Sequence, residues 1–154
     1  MAKHSTSKPP DPDQLFILFN EIGIVNQLST NRFERALPDG LTQSQFSVLN
    51  NFVRLGGSRS PKQLADAFQV TKGAMTNTLD KLAKKGAIKI SPDPNDGRAK
   101  IVTLTPRGRK MRERAIAAAG PAFKDVADII AAEDVEQVIP FLQKLRAFLD
   151  TYRG

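Results

Sequence analysis

The chain has 154 residues, 40% of them hydrophobic and 25% charged, with a formal net charge of +7, which suits one soluble domain with a core of its own. It has no cysteine and one histidine, His4 near the N-terminus, so disulfides, zinc–thiolate sites, thiol redox sensing and the commonest general base all drop out. That points away from an enzyme and towards the reducing cytoplasm, and with no purely apolar run longer than the five residues of Leu15–Phe19, no membrane span or membrane partner is expected.

Residues 1–12, MAKHSTSKPPDP, are polar and proline-bearing, lack the apolar stretch of a secretory signal, and read as a disordered tail. Asp13 is the expected N-cap of a first helix, residues 13–37, with apolar residues at Leu15, Leu18, Ile22 and Val25 and a stripe widened by Phe16 and Phe19. Gly23 inside it costs about 1 kcal/mol relative to Ala, and the turn Leu37–Gly40 ends it. Thr42 with Gln45 three residues on is a capping-box pattern, opening a helix that buries Phe46, Leu49, Phe52 and Val53 and stops at Gly56-Gly57. Ser60-Pro61 supplies the next N-cap, with proline at N1, for a short helix burying Leu64, Ala65 and Phe68. After a turn at Gln69-Val70, Thr71 caps a fourth helix running to about Lys85, and Gly86 sits where a C′ glycine belongs.

Beyond Gly86 the periodicity changes. Ala87–Ile90 and Lys100–Leu104 are short and β-branched, as strands are, and SPDPNDGRAK (Ser91–Lys100) joins them as a hairpin tip. Its prolines, Asn95 and Gly97 are expected to make the reversal. Thr105-Pro106 repeats the cap-and-proline signature before a long helix through Met111, Ala115, Ile116 and Ala119. Gly120-Pro121 should kink or break that helix, with Phe123, Val126, Ile129 and Ile130 continuing a helical face. A last helix restarts at Glu133-Asp134 and spaces Val135, Val138, Leu142, Leu145 and Leu149 in a heptad-like seam that Pro140 should bend. A single intramolecular core would explain these terminal stripes equally well. Because they flank a complete central module, a subunit contact through Leu15, Leu18, Ile22, Val138, Leu142, Leu145 and Leu149 is the expectation.

From Arg54 to Arg114 there are 15 Lys and Arg against 5 Asp and Glu, while the rest of the chain holds 8 against 11. A basic centre between slightly acidic ends suits a polyanion. Helix, short helix, turn, helix and hairpin make a winged helix-turn-helix. The fold class is therefore mainly α with a small β-hairpin wing. Residues 42–108 form the DNA-binding domain, and residues 109–154 complete a dimerisation region with the first helix.

In the fourth helix Met75, Leu79 and Leu82 share one face, while Gly73, Asn77, Asp80 and Lys84 point the opposite way with Thr76 and Lys81 on the flanks. Small or polar residues at its start let a helix sit deep in the major groove, and its N-terminus favours phosphate. Asn77 suits adenine, while Thr71, Lys72 and Thr76 suit phosphates or thymine methyls. Ser60, Lys62, Gly73, Lys81, Arg98 and Lys100 complete the candidate DNA-contact set.

The segments VTKGAMTNTLDKLAKKGAIKI, DPNDGRAKIVTLT and LTPRG, together covering about Thr42 to Gly108, resemble in order and spacing the MarR-type (multiple antibiotic resistance regulator) family of transcriptional regulators. The resemblance implies a triangular homodimer built by the terminal helices, a repressor bound to a pseudo-palindromic duplex operator with its recognition helices about 10 bp apart. It implies that Arg98 reaches into the minor groove, where a planar cation suits narrow A·T-rich stretches. It gives Asp96, with Gly97, a structural role in the wing. Two positions depart from the family pattern: Ile90 stands where arginine is frequent, and so does Asn77. No cofactor is implied. A small aromatic or lipophilic effector that triggers DNA release is the regulation the family suggests, and a winged-helix protein-interaction module without DNA binding is the alternative.

Overall fold

The computed structural model describes residues 8–152, so most of the tail expected at 1–12, His4 included, lies outside the described residues. Helix α1 spans Pro12–Ala36 and is capped by Asp11, not Asp13. Asp11 Oδ1 accepts from the Gln14 N–H at 2.8 Å and Gln14 Oε1 accepts from the Asp11 N–H at 3.0 Å. The proline decides this register: its fixed φ and missing N–H suit N1, so the cap falls one residue earlier.

The central elements follow their caps. Helix α2 (Gln43–Leu55) carries the Thr42–Gln45 box and ends at Gly56, whose φ is +66°. Helix α3 (Pro61–Phe68) carries the same box from Ser60 and Gln63 and turns at Gln69, which is left-handed at φ 52°. Helix α4 (Lys72–Lys84) is capped by Thr71, whose Oγ1 accepts from the Ala74 N–H at 3.1 Å, and Gly86 at φ +70° releases the chain. Val48, Leu49 and Phe52 of α2, Leu64 of α3, and Met75, Leu79 and Leu82 of α4 pack into one core with Val102 and Met111. Phe46 lies at its margin, edge-on to Phe33 of α1 at 4.8 Å between ring centroids.

Strands β1 (Ile88–Asp93) and β2 (Asp96–Leu104) pair antiparallel, with Ile88 opposite Leu104 and Ile90 opposite Val102. They take in most of the stretch expected to be loop, leaving Pro94 and Asn95 as the turn. Neither Asn95 nor Gly97 has a positive φ. The reversal comes instead from the fixed φ of Pro94 and from Asp93, whose Oδ1 accepts from the Asn95 N–H at 2.9 Å. Arg59 adds a short third rung, exchanging two backbone hydrogen bonds with Val102 at 3.1 and 2.8 Å.

Helix α5 (Pro106–Ala122) leaves the wing through a tight joint. The Thr105 hydroxyl donates to the Gly86 carbonyl at 2.6 Å and accepts from the Gly108 N–H at 3.0 Å. The Thr105 N–H donates to the Ala87 carbonyl at 3.1 Å. A Cβ on buried Gly108 would overlap that same Ala87 carbonyl, which is why a glycine stands there.

Helix α5 ends at Ala122, directly after Gly120-Pro121, as expected. The pair occupies its last turn, and a 3-10 turn (Lys124–Asp128) follows in place of the expected helical face, leaving Ile129 exposed. Helix α6 (Ala132–Thr151) begins one residue before Glu133, and Asp134 Oδ2 accepts from the Ala131 N–H at 2.9 Å. Pro140 lies inside an unbroken helix. Helix α1 packs on α5, whereas among the described residues α6 shares no extended packing with any other element, and neither α1 nor α6 buries a residue. Among the described residues, no helix is long and apolar enough to cross a membrane.

Two measurements check this packing. Gly108→Ala should destabilise the protein by about 1–3 kcal/mol, as overpacking does, and an unchanged urea midpoint would remove the close approach. Arg32 of α1 pairs with Asp125 at 2.5 Å and stacks its guanidinium over Phe123. The hydrogen bond from Arg32 holds the Asp125 carboxyl below its ordinary range. Its contribution to stability is therefore present above the ordinary carboxylate pKa and fades as pH falls through the lowered one. NMR titration of Arg32→Ala should return Asp125 to its ordinary range.

Candidate nucleic-acid interface

The start of α3, the exposed face of α4 and the inner edge of the wing enclose a cleft of about 510 Å3. Leu79, Ile90, Pro61 and Ala99 supply its apolar lining, and Ser60, Lys62, Lys72, Thr76, Asp80, Arg98 and Lys100 its polar one. Six of the ten DNA contacts named from the sequence thus meet in one place. The others are exposed outside it: Thr71, Gly73 and Asn77 along α4, and Lys81 beside a second hollow of about 400 Å3 with Thr42, Gln45, Lys84 and Lys85.

The local hydrogen bonds decide what these side chains still offer. Ser60 Oγ and Thr71 Oγ1 accept from backbone N–H groups as helix caps, which leaves their hydroxyl protons for an outside acceptor. The Thr76 hydroxyl donates to the Lys72 carbonyl at 2.9 Å, so its methyl and lone pairs remain. Lys62 pairs with Asp66 at 2.7 Å, and that hydrogen bond, helped by the carboxylate charge, raises the Lys62 pKa. Among the described residues, Lys72, Lys81, Arg98 and Lys100 hold no ion pair. Lys72, Arg98 and Lys100 line the same cleft, and three uncommitted cations there form a positive field, strengthened where the α4 N-terminus adds its dipole.

The acidic residues separate into two kinds. Asp96 Oδ1 accepts from the Arg98 N–H at 3.0 Å, so it organises the strand that carries Arg98. Asp80 lines the cleft with Ile90 close by and, among the described residues, holds no ion pair. Sequence reading placed Asp80 on the outward face but gave it no part in the site. It also missed Pro61 and the Arg59 rung that steadies the wing; neither carries a charge pattern that would single it out.

The apolar stripes of the terminal helices are exposed. Leu15, Val138, Leu142 and Leu149 are each more than a third accessible, and Leu18, Ile22 and Leu145 are half-buried. Ile22, Leu142, Leu145 and Leu149 meet around an open cavity of about 770 Å3, together with Phe19, Phe68 and Tyr152. Leu15, Leu18 and Val138 lie outside that cavity.

A family model described as MarR family matches residues 39–99. The multiple antibiotic resistance protein MarR of Salmonella typhimurium is 38% identical over 105 residues, covering 63% of this chain and 72% of that protein. The transcriptional regulator BldR from Sulfolobus solfataricus superposes with a TM-score of 0.75 at 27% identity, covering 90% of this chain and 99% of that one. A mutant MarR from E. coli complexed with operator DNA superposes with a TM-score of 0.68 at 28% identity, covering 88% and 99%.

The Asp96 bond predicts a local signature. Asp96→Ala should speed hydrogen exchange of the Arg98 amide by about three- to tenfold, the net worth of one such bond, while the amides of α2 exchange as before. Unchanged exchange at Arg98 would rule the bond out.

Proposed function

The chain belongs to the MarR family of winged-helix, DNA-binding transcriptional regulators, and from that premise we propose that it acts as a homodimeric repressor on a pseudo-palindromic operator. The observation that carries this reading is the cleft between α4 and the wing, where cations without partners converge around a helix N-terminus. Helix α4 enters the major groove, and Gly73 in its first turn faces open space with no side chain of its own to bar a close approach. Asn77 offers a paired donor and acceptor to adenine. Lys72, Lys81, Lys100 and the free hydroxyl protons of Ser60 and Thr71 contact phosphates, and Lys62 joins them by exchanging Asp66 for a phosphate oxygen. Arg98, carried out on β2, lies along the adjacent minor groove.

The second copy is supported by α6. A 20-residue helix with Val138, Leu142, Phe148 and Leu149 exposed and no extended packing in its own chain lacks the burial that keeps such a helix stable in water. Pairing the α1 and α6 faces of two copies supplies that burial and sets two recognition helices about one helical turn (~10 bp) apart. The open cavity at Ile22, Phe68 and Leu145 lies between these arms and the end of α3, and suits a small aromatic or lipophilic effector whose binding favours DNA release.

Two experiments test the reading. Against duplexes recovered by selection at about 50 mM salt, where counterion release favours binding, Arg98→Ala should weaken binding most when the wing position is A·T-rich. Equal loss on all sequences, with the salt slope reduced by about one, would make Arg98 a phosphate contact instead. Leu145→Asp with Leu149→Asp should give a monomer by sedimentation and lower DNA affinity by about a hundredfold or more, because the two half-sites are no longer linked. A variant that stays dimeric would place the interface elsewhere.

A further inference from the structure

We propose that Asp39 is a positioning residue for DNA recognition: it bridges the C-terminal end of the recognition helix to α5 and thereby sets the half-site spacing that the dimer accepts. The proposal rests on the dimeric reading above. Asp39 lies in the turn between α1 and α2 with φ +60°, a left-handed conformation that aspartate tolerates better than most residues. Its carbonyl accepts from Lys85 Nζ at 2.8 Å, and Lys85 is the residue that closes α4. Its carboxylate oxygen Oδ2 accepts from Arg114 Nε at 3.0 Å and Nη2 at 2.9 Å, and Arg114 belongs to α5. One residue therefore holds two partners 46 and 75 positions away in sequence. Gly40, itself at φ +63°, leaves room for the ammonium, since a Cβ there would come within 3.3 Å of Lys85 Nζ.

The packing explains why this bridge bears on recognition more than on stability. Helices α4 and α5 share no extended packing: α4 rests on α2, α3 and β1, whereas α5 rests on α1 and α2. The core therefore fixes each to α2, the Thr105–Gly86 bond joins their facing ends at one point, and Asp39 adds a second polar tie between the element that reads DNA and the one that leads to the dimer arms. Half-exposed charged groups such as Arg114 contribute little to folding stability. Their geometric effect is larger. A 13-residue helix is about 20 Å long, so a tilt of about 5° at its Lys85 end moves its DNA-reading end by about 1.7 Å.

The test is spacing selectivity. Fluorescence anisotropy compares the selected operator with versions carrying one base pair more or fewer between half-sites, which rotates one half-site by about 34°. The wild-type protein should lose about tenfold or more in affinity on the altered spacings. Lys85→Met and Arg114→Met, which leave the strained turn itself untouched, should keep their thermal midpoints within a few degrees. Both should bind the optimal spacing several-fold more weakly and lower the discrimination to about threefold or less. Asp39→Asn, which retains the left-handed turn but loses the charge, should fall between them and the wild type. A lost phosphate contact at Lys85 would weaken all spacings equally, so variants with the wild-type ratio overturn the proposal while leaving the DNA-binding reading intact. Failure of the wild-type protein to bind any duplex overturns both.

Discussion

The carbonyls of Gly86 and Ala87, held by Thr105 and closed over by Gly108, are the joint on which the rest of the molecule depends. Four things meet there: the recognition helix ends, the wing begins, the wing returns, and α5 sets out towards the arms. Each would be a separately mobile element if joined by ordinary loops. Here a threonine hydroxyl bonded in two directions and a glycine with no room for a methyl group fix their mutual angles. The core beside the joint, with Leu82, Ala87 and Val102 fully buried, then makes the angle costly to change. Helix α4 and the wing thus share one joint with the start of α5.

The electrostatics follow from how the charges are committed. Acidic residues near the reading face are mostly spent on the protein: Asp93 and Asp96 bind backbone N–H groups, and Asp66 pairs with Lys62. The cations Lys72, Lys81, Arg98 and Lys100 are left to solvent. This division leaves unpaired cations concentrated at the cleft, and cations that neutralise phosphates release their counterions. Asp80 is the exception, an unpaired carboxylate in the cleft beside Ile90.

Most of the winged domain was legible in the sequence because its punctuation is local. Thr42–Gln45, Ser60–Gln63, Thr71 and Thr105-Pro106 are caps whose partners lie three residues away, and each forms as its spacing predicts. The misreadings have equally physical causes. Asp13 lost the first cap to Asp11 because proline prefers N1, and the wing strands ran longer because Asp93 turns the chain at Pro94 and Asn95, leaving Gly97 in the strand. Gly120-Pro121 does end its helix, at Ala122, but a 3-10 turn follows where a continued helical face was expected. The Asp39 bridge and the cleft depend on residues dozens of positions apart, and no periodicity encodes such distances.

The central claim is that helix and wing present one rigid, two-groove reading surface, repeated by a second copy. Hydroxyl-radical footprinting of the minor groove, paired with methylation protection of guanine N7 in the major groove, tests it most directly on the selected duplex. The account predicts two protected blocks centred about one helical turn apart, each with a minor-groove protection at a fixed offset on its outer side. A single block, or major-groove contacts whose minor-groove companions shift from one operator to another, would contradict it.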